Sequence, residues 1–266
     1  MKKRIILLGD SITQGLGSKK INFTRVLQNL LGQDYFVDNM AFTGTTIRYA
    51  EEILSEVIAK EPSCVVVLYG NVDAQIRPNR NGKVFKHIPK RFQGSGMLMP
   101  RPFYSHDLKK RTGQKIENLM RHVFSEIIYL VDGTEQWVPI EEFSQRYRNV
   151  VNALKGKKIS VITCSTVYID EKLFPGSLSQ YERFNNEILK IANQCNTAYV
   201  DLFLPLKKKV EEDGWNKRYC YDHFHPNGGG DTRSLLISWR KKYYKMTVAY
   251  LRSKHWNGQD CSKLYL

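Results

Sequence analysis

The sequence predicts an α/β fold: a three-layer α/β/α sandwich around a central, mainly parallel sheet of five strands. Three observations carry this. Short apolar runs alternate along the chain with segments of helical period, as repeated strand–helix–strand units require. The run Cys64-Val65-Val66-Val67-Leu68-Tyr69 is continuous and rich in β-branched residues, as suits a strand buried on both faces. The first apolar run ends on Gly9-Asp10-Ser11-Ile12-Thr13, a turn at the carboxyl end of a strand, where open α/β sheets place their ligands.

The elements follow in order. Strands are expected at 4–8, 35–39, 64–69, 158–163 and 197–202, and helices at 21–31, 46–60, 140–154, 179–193 and 232–251. In the second helix Ile47, Ala50, Ile53, Leu54, Val57 and Ile58 share one face; in the third, Phe143, Tyr147, Val150, Val151 and Leu154 do. Residues 77–139 break the alternation. Pro78, Pro89, Pro100, Pro102 and Gly82, Gly94, Gly96 precede a further expected helix at 115–130. A connection this long is usually functional. It reads as an insertion flanking the active site of a single domain spanning 1–266; a peripheral decoration is the other reading.

Composition bounds the partners. The formal net charge is +15 and unevenly placed. Residues 77–121 hold twelve Lys or Arg against Asp107 and Glu117, and the expected C-terminal helix and tail at 231–266 hold eight against Asp231 and Asp260. The remainder is near neutral. Charge so concentrated suits an anionic partner: an acidic glycan, a phosphate-bearing carrier or a peripheral membrane surface. Specific nucleic-acid binding is not expected, because no recognised motif accompanies the charge. A solvated basic face is the bland alternative.

No apolar run approaches the ~18 residues of a membrane span. Met1-Lys2-Lys3-Arg4 with Ile5-Ile6-Leu7-Leu8 is shorter than a signal peptide's apolar region of roughly 7–15 residues and lacks a small-residue cleavage site. The chain is therefore read as mature from Met1 and cytoplasmic. Five scattered cysteines (Cys64, Cys164, Cys195, Cys220, Cys261) form no disulfide or zinc pattern. The glycosylation triplet Asn22-Phe23-Thr24 means nothing without secretion.

The chemistry-bearing residues lie at opposite ends of the chain. A serine hydroxyl is a poor nucleophile until a base takes its proton. Ser11 is the candidate nucleophile, and Asp222-His223-Phe224-His225-Pro226 supplies a carboxylate and two imidazoles. In Asp-x-x-His, Asp222 can orient His225 within one tight loop and stabilise the imidazolium that forms. His223 competes for the base role. Asp222, His223 and His225 are also metal-ligand types, but no further cluster accompanies them, so neither a metal nor another cofactor is expected. No phosphate loop, dinucleotide fingerprint or Gly-x-Ser-x-Gly elbow is present.

Four blocks together resemble the SGNH (GDSL-type) hydrolase family, over residues 4 to about 230. They are Gly9-Asp10-Ser11-Ile12-Thr13, Asn39 to Thr46 with Gly44, Gly70-Asn71-Val72-Asp73, and Asp222-x-x-His225. The resemblance implies the SGNH-hydrolase, flavodoxin-like version of the fold, with Ser11 as nucleophile, His225 as base and Asp222 as its orienting acid. It implies an oxyanion hole of the Ser11 N–H, the Gly44 N–H and a block-three side chain. There the sequence departs from the family. Val72 occupies the family's Asn position, and Asn71 lies one residue early, which on an extended chain turns a side chain to the other face. Asn71 is either the third donor on a remade loop or a cap of the turn; a missing donor costs roughly 10²–10³-fold in rate. Asp10, Asp73 and Arg77 are candidate substrate contacts, with an Asp73–Arg77 ion pair as the structural alternative. Thr43, Thr45 and Thr46 are expected to cap the helix that follows.

The expected function is a serine esterase that removes O-acyl groups, O-acetyl foremost, from a carbohydrate or polysaccharide precursor. Three alternatives stand. One is a sugar O-acetyltransferase on the same residues. Another is a lipid esterase or thioesterase whose acyl groove is lined by Phe85, Phe92, Met97, Leu98, Met99, Phe103 and Tyr104, residues equally able to form the insertion's own core. The third is a degenerate member that binds an anionic glycan.

Overall fold

The structure is a computed structural model that describes residues 2–18, 22–94 and 98–227. Along β1 (Lys3–Gly9), alternate residues enter different cores. Ile6 and Leu8 pack on one side of the sheet, Ile5 and Leu7 on the other. In β3 (Cys64–Leu68), Val65 and Val67 join the first core, while Cys64, Val66 and Leu68 join the second. This period-2 division between two dry faces is why both strands read as unbroken apolar runs. Each fully buried Ile, Leu or Val contributes roughly 1.5–3 kcal/mol of transfer free energy, so the central strands are strongly held.

The chain runs from β1 through α1 (Ser11–Gln14) and α2 (Phe23–Leu31) to β2 (Tyr35–Asn39). It then passes through α3 (Ile47–Glu52) and α4 (Leu54–Ala59) to β3. After α5 (Asn71–Ala74) come β4 (Ile76–Pro78), α6 (Leu108–Val131) and β5 (Thr134–Gln136), then α7 (Ile140–Gly156) and β6 (Ser160–Cys164). The last elements among the described residues are α8 (Ser177–Gln194), β7 (Ala198–Val200), α9 (Phe203–Asp213) and α10 (Trp215–Arg218). The sheet order is β2-β1-β3-β6-β7, all parallel. The chain leaves β1 toward β2 and then crosses to β3 on the other side, so a topological switch lies between β1 and β3. Ligands of open α/β sheets bind outside the carboxyl ends at such a point, and Ser11 and Asn71 directly follow those two ends.

Three expectations are corrected. The helix expected over 46–60 is two helices meeting at Ile53, whose ψ of 3° departs from helical geometry. Ile53 and Leu54 both pack on the core that receives Ile47 and Val57, so the apolar spacing runs through the break. The helix expected over 115–130 starts at Leu108, because the Asp107 carboxylate accepts from Lys110 N at 3.0 Å and caps a longer helix. Thr46 sits at the N-cap of α3 without a side-chain bond. Instead, Asp73 Oδ1 accepts from Ile47 N at 2.8 Å. Thr45 Oγ1 donates to Phe42 O, and Thr43 pairs with Gln14. The short helices α1, α5, α9 and α10 were not among the sequence expectations. The helix expected at 232–251 and the basic tail lie outside the described residues.

The segment 77–139 is closed at its base by the antiparallel ribbon β4–β5, with Arg77 opposite Glu135. Phe85, Ile88, Phe92, Leu98 and Ile128 form a small core within it. Its far side reaches the loop after α10: Tyr221 N donates to Pro102 O at 3.2 Å, and the Tyr104 and Tyr221 rings lie 4.9 Å apart.

Candidate active site

Asp10 ends the first strand and caps the helix that carries Ser11. Its Oδ1 accepts from Ile12 N at 2.9 Å. This fixes a sharp strand-to-helix turn with Ser11 at its apex. Gly9 belongs there for space, since a Cβ would stand 2.7 Å from Leu68 O.

His225 Nε2 lies 2.8 Å from Ser11 Oγ, and His225 Nδ1 lies 2.6 Å from Asp222 Oδ2. An ionised Asp222 can only accept, so Nδ1–H is donated to it and Nε2 is left to accept the Ser11 proton. The other Asp222 oxygen accepts from Phe224 N and His225 N, at 3.2 and 3.1 Å. One carboxylate thus orients the ring and folds the loop that carries it. Ser11, Asp222 and His225 are all buried. The structure brings these three side chains into one hydrogen-bonded chain, the geometry that a nucleophile, its base and an orienting carboxylate require.

The rival base His223 serves another partner. Its Nδ1 lies 2.6 Å from Asp170 Oδ2, its ring stacks on Trp215 at 5.1 Å, and Trp215 stacks on Tyr168 at 5.1 Å. Its φ of +49° is left-handed, which lets two histidines of one loop take opposite partners. Hydrogen bonding from His223 and Lys172 N holds the Asp170 carboxyl below its ordinary range despite its burial. The two imidazoles therefore engage two different carboxylates. Sequence reasoning missed this second pair, because Asp170 carries no motif.

Gly17 was missed as well. With φ +101°, it passes so close to the His225 loop that a Cβ would meet Pro226 O at 2.8 Å and Cys220 Sγ at 2.9 Å. The only signal for it is the Gly-Leu-Gly that follows the serine turn. Gly44 lies, exposed and at φ +77°, on a loop tied to the nucleophile's strand by Phe42 N to Gly9 O at 3.1 Å. That places its backbone on the Ser11 side of the sheet.

Block three behaves differently from either sequence expectation. Asn71 is fully buried; its Nδ2 donates to Asp10 Oδ2 at 3.0 Å, and its Oδ1 accepts from Val167 N at 2.9 Å. It is neither a donor facing the nucleophile nor a simple turn cap. It bridges the ends of β1 and β3 to the segment after β6. The Val72 side chain is buried and offers no polar atom.

Nor do Asp10, Asp73 and Arg77 present themselves to substrate. Asp10 and Asp73 are fully buried. Burial lifts the Asp10 carboxyl to about 6 and the Asp73 carboxyl to about 7, against the hydrogen bonds each receives. Asp73 accepts from Ile47 N and Gly70 N rather than pairing with Arg77. The Arg77 guanidinium bonds Gln75 Oε1 and lies 3.5 Å from the Trp137 ring centroid, and burial lowers its pKa to about 10. A planar cation finds a better seat on an aromatic face than on a carboxylate already saturated by backbone.

A cavity of about 310 Å³ lies between the insertion and the segment after β6. Met99, Leu119, Arg121, Tyr129 and Phe174 are among its walls. The Phe174 ring stands 5.9 Å from Phe224, which meets His225 edge-on at 4.8 Å. Two aromatic rings therefore separate the cavity from the base.

A model of the GDSL-like lipase/acylhydrolase family matches residues 7–233. No curated protein matches the chain by sequence. Among solved structures, a catalytic mutant of Axe2, an acetylxylan esterase from Geobacillus stearothermophilus, is similar at TM-score 0.57 and 16% identity, over 91% of this chain and 95% of that one. Unmutated Axe2 gives 0.56 and 17%, over 90% and 93%. A lipase/acylhydrolase from Enterococcus faecalis gives 0.55 and 15%, over 92% and 96%. At these identities the likeness carries the fold.

Proposed function

We propose, from the premise that this chain belongs to the GDSL-like lipase/acylhydrolase family and hydrolyses ester bonds, that it removes O-acetyl groups from a carbohydrate by a Ser11–His225–Asp222 mechanism. The carrying observation is the hydrogen-bonded chain from Ser11 Oγ through His225 to Asp222. Ser11 Oγ attacks the ester carbonyl as His225 Nε2 takes its proton. Asp222 stabilises the imidazolium. The backbone N–H groups of Ser11 and Gly44 are assigned to the oxyanion, with no side-chain donor from block three. His225 then gives that proton to the sugar oxygen as its bond to the acyl carbon breaks, so that the sugar leaves as a free hydroxyl and the acetyl group stays on Ser11. A water activated by the same imidazole releases acetate from Ser11.

The carbohydrate assignment draws support from Axe2, named as an acetylxylan esterase. Catalytic mutants of Axe2 replace a Ser, an Asp and a His, the last two three positions apart. Asp222 and His225 have the same spacing.

The test is hydrolysis of p-nitrophenyl acetate and butyrate by the wild type and Ser11→Ala. Acetate should be preferred, and Ser11→Ala should lose roughly 10³-fold or more in kcat with its circular dichroism unchanged. Turnover that survives in Ser11→Ala would refute the nucleophile, and a preference for butyrate would refute the acetyl assignment.

A further inference from the structure

The helix α6 is apolar on the face it turns to solvent. Its inner face packs Ile128 and Ser125 into the insertion's core, and Arg121 is held there by Met99 O and Glu117. Its outer face carries Ile116, Leu119, Val123, Ile127 and Leu130, spaced three, four, four and three residues apart. All five are exposed, from 42% at Ile127 to 85% at Leu130. Such spacing is one continuous stripe of an α-helix. A surface helix normally turns a polar face to water, so a stripe of this length marks a contact surface.

The surroundings identify what it contacts. Exposed Lys109 lies seven residues before Ile116, on the same line as Val123 and Leu130. Lys110 and Lys115 are exposed on the same helix, and the Arg91 guanidinium reaches Met120 Sδ at 3.7 Å beside the stripe. Lys83, Lys86 and Lys90 are exposed in the preceding segment. Apolar side chains flanked by cations on one helix match an anionic bilayer surface: the side chains enter the acyl boundary and the cations meet the headgroups. A second copy would set the same cations against each other. The segment 231–266 is itself basic, with eight Lys or Arg against two Asp, and complements this face no better. Leu119 also walls the 310 Å³ cavity, so stripe and cavity adjoin.

We propose that α6 seats the protein on an anionic membrane through the stripe Ile116–Val123–Ile127–Leu130, with Lys109, Lys115 and Arg91 on the headgroups.

The test is flotation of the full-length protein with vesicles of phosphatidylglycerol and phosphatidylcholine, and with phosphatidylcholine alone. Wild type should float with the anionic vesicles at least tenfold better than with neutral ones. The quadruple variant Ile116→Ser, Val123→Ser, Ile127→Ser, Leu130→Ser should lose that partition, while its p-nitrophenyl acetate turnover stays at the wild-type level and reports an intact fold. No partition by wild type overturns the proposal. Partition kept by the stripe variant but lost in Lys109→Gln, Lys115→Gln overturns the role of the stripe. A wild-type dimer in sedimentation that the stripe variant dissociates, without vesicle binding, assigns the face to a second copy.

Discussion

Asn71 donates its side-chain N–H to the buried carboxylate of Asp10, 3.0 Å away and 61 residues earlier. Asp10 in turn caps the helix that begins at the nucleophile. The block-three asparagine therefore holds the Ser11 turn from below.

Replacing Asn71 leaves Asp10 Oδ2 and Val167 N without partners in a dry interior. An unsatisfied buried group costs roughly 1–3 kcal/mol. Asn71→Ala should lose about 2–6 kcal/mol of stability by this reckoning, read from urea unfolding. A loss under about 0.5 kcal/mol, the size of an ordinary surface change, would show the bridge to be idle.

Gly17 tests the base loop from the opposite side. A methyl there collides with Pro226 O and Cys220 Sγ while demanding an unfavourable φ. Gly17→Ala should displace His225 and lower kcat for p-nitrophenyl acetate by roughly 10²-fold, the cost of an ångström's misplacement. An unchanged kcat would mean that the loop absorbs the methyl without moving the imidazole.

The two raised carboxyls predict a pH dependence. Burial places Asp73 at about 7 and Asp10 at about 6 in the folded chain, against about 3.9 when unfolded. Between these values the native state holds protons that the unfolded chain releases, so their contribution to stability falls as pH rises. The stability of wild type relative to Asp73→Asn should therefore decline from pH 4 to about 7, by up to about 1.4 kcal/mol per pH unit, and level off above. Urea midpoints at half-unit intervals measure this; a relative rise over the window would contradict it.

Arg77 separates structure from substrate binding. Arg77→Lys removes the stacked plane over Trp137 and the paired bonds to Gln75. Stability should fall by about 1–3 kcal/mol, while KM for p-nitrophenyl acetate stays within twofold. A KM raised severalfold at unchanged stability would restore Arg77 as a substrate contact.

What was legible in the sequence follows from what is local. Strands buried on both faces must be apolar throughout, so β1 and β3 declare themselves. A carboxylate three residues from an imidazole declares the Asp222–His225 pair in the same way. The break at Ile53 was hidden because core contacts run straight through it. The seat of Arg77 depends on Trp137, 60 residues downstream, and the cap of α3 on Asp73, 26 residues beyond Ile47. Neither leaves a mark on its own neighbourhood. The outer stripe of α6 has the spacing of any amphipathic helix, and spacing alone does not say whether such a face is buried or turned to solvent.

The sheet order bears on how activity appears during synthesis. The nucleophile's strand is the first made, and it lies between two strands that come later. Its hydroxyl meets the imidazole across 214 residues of chain. Domains can begin to fold from the N-terminal end as the ribosome releases them. A nascent chain ending before residue 222 can thus build the whole central sheet and carry an exposed serine with no base to awaken it. On the proposed mechanism, catalytic competence arrives only with the closing segment that carries Asp222 and His225.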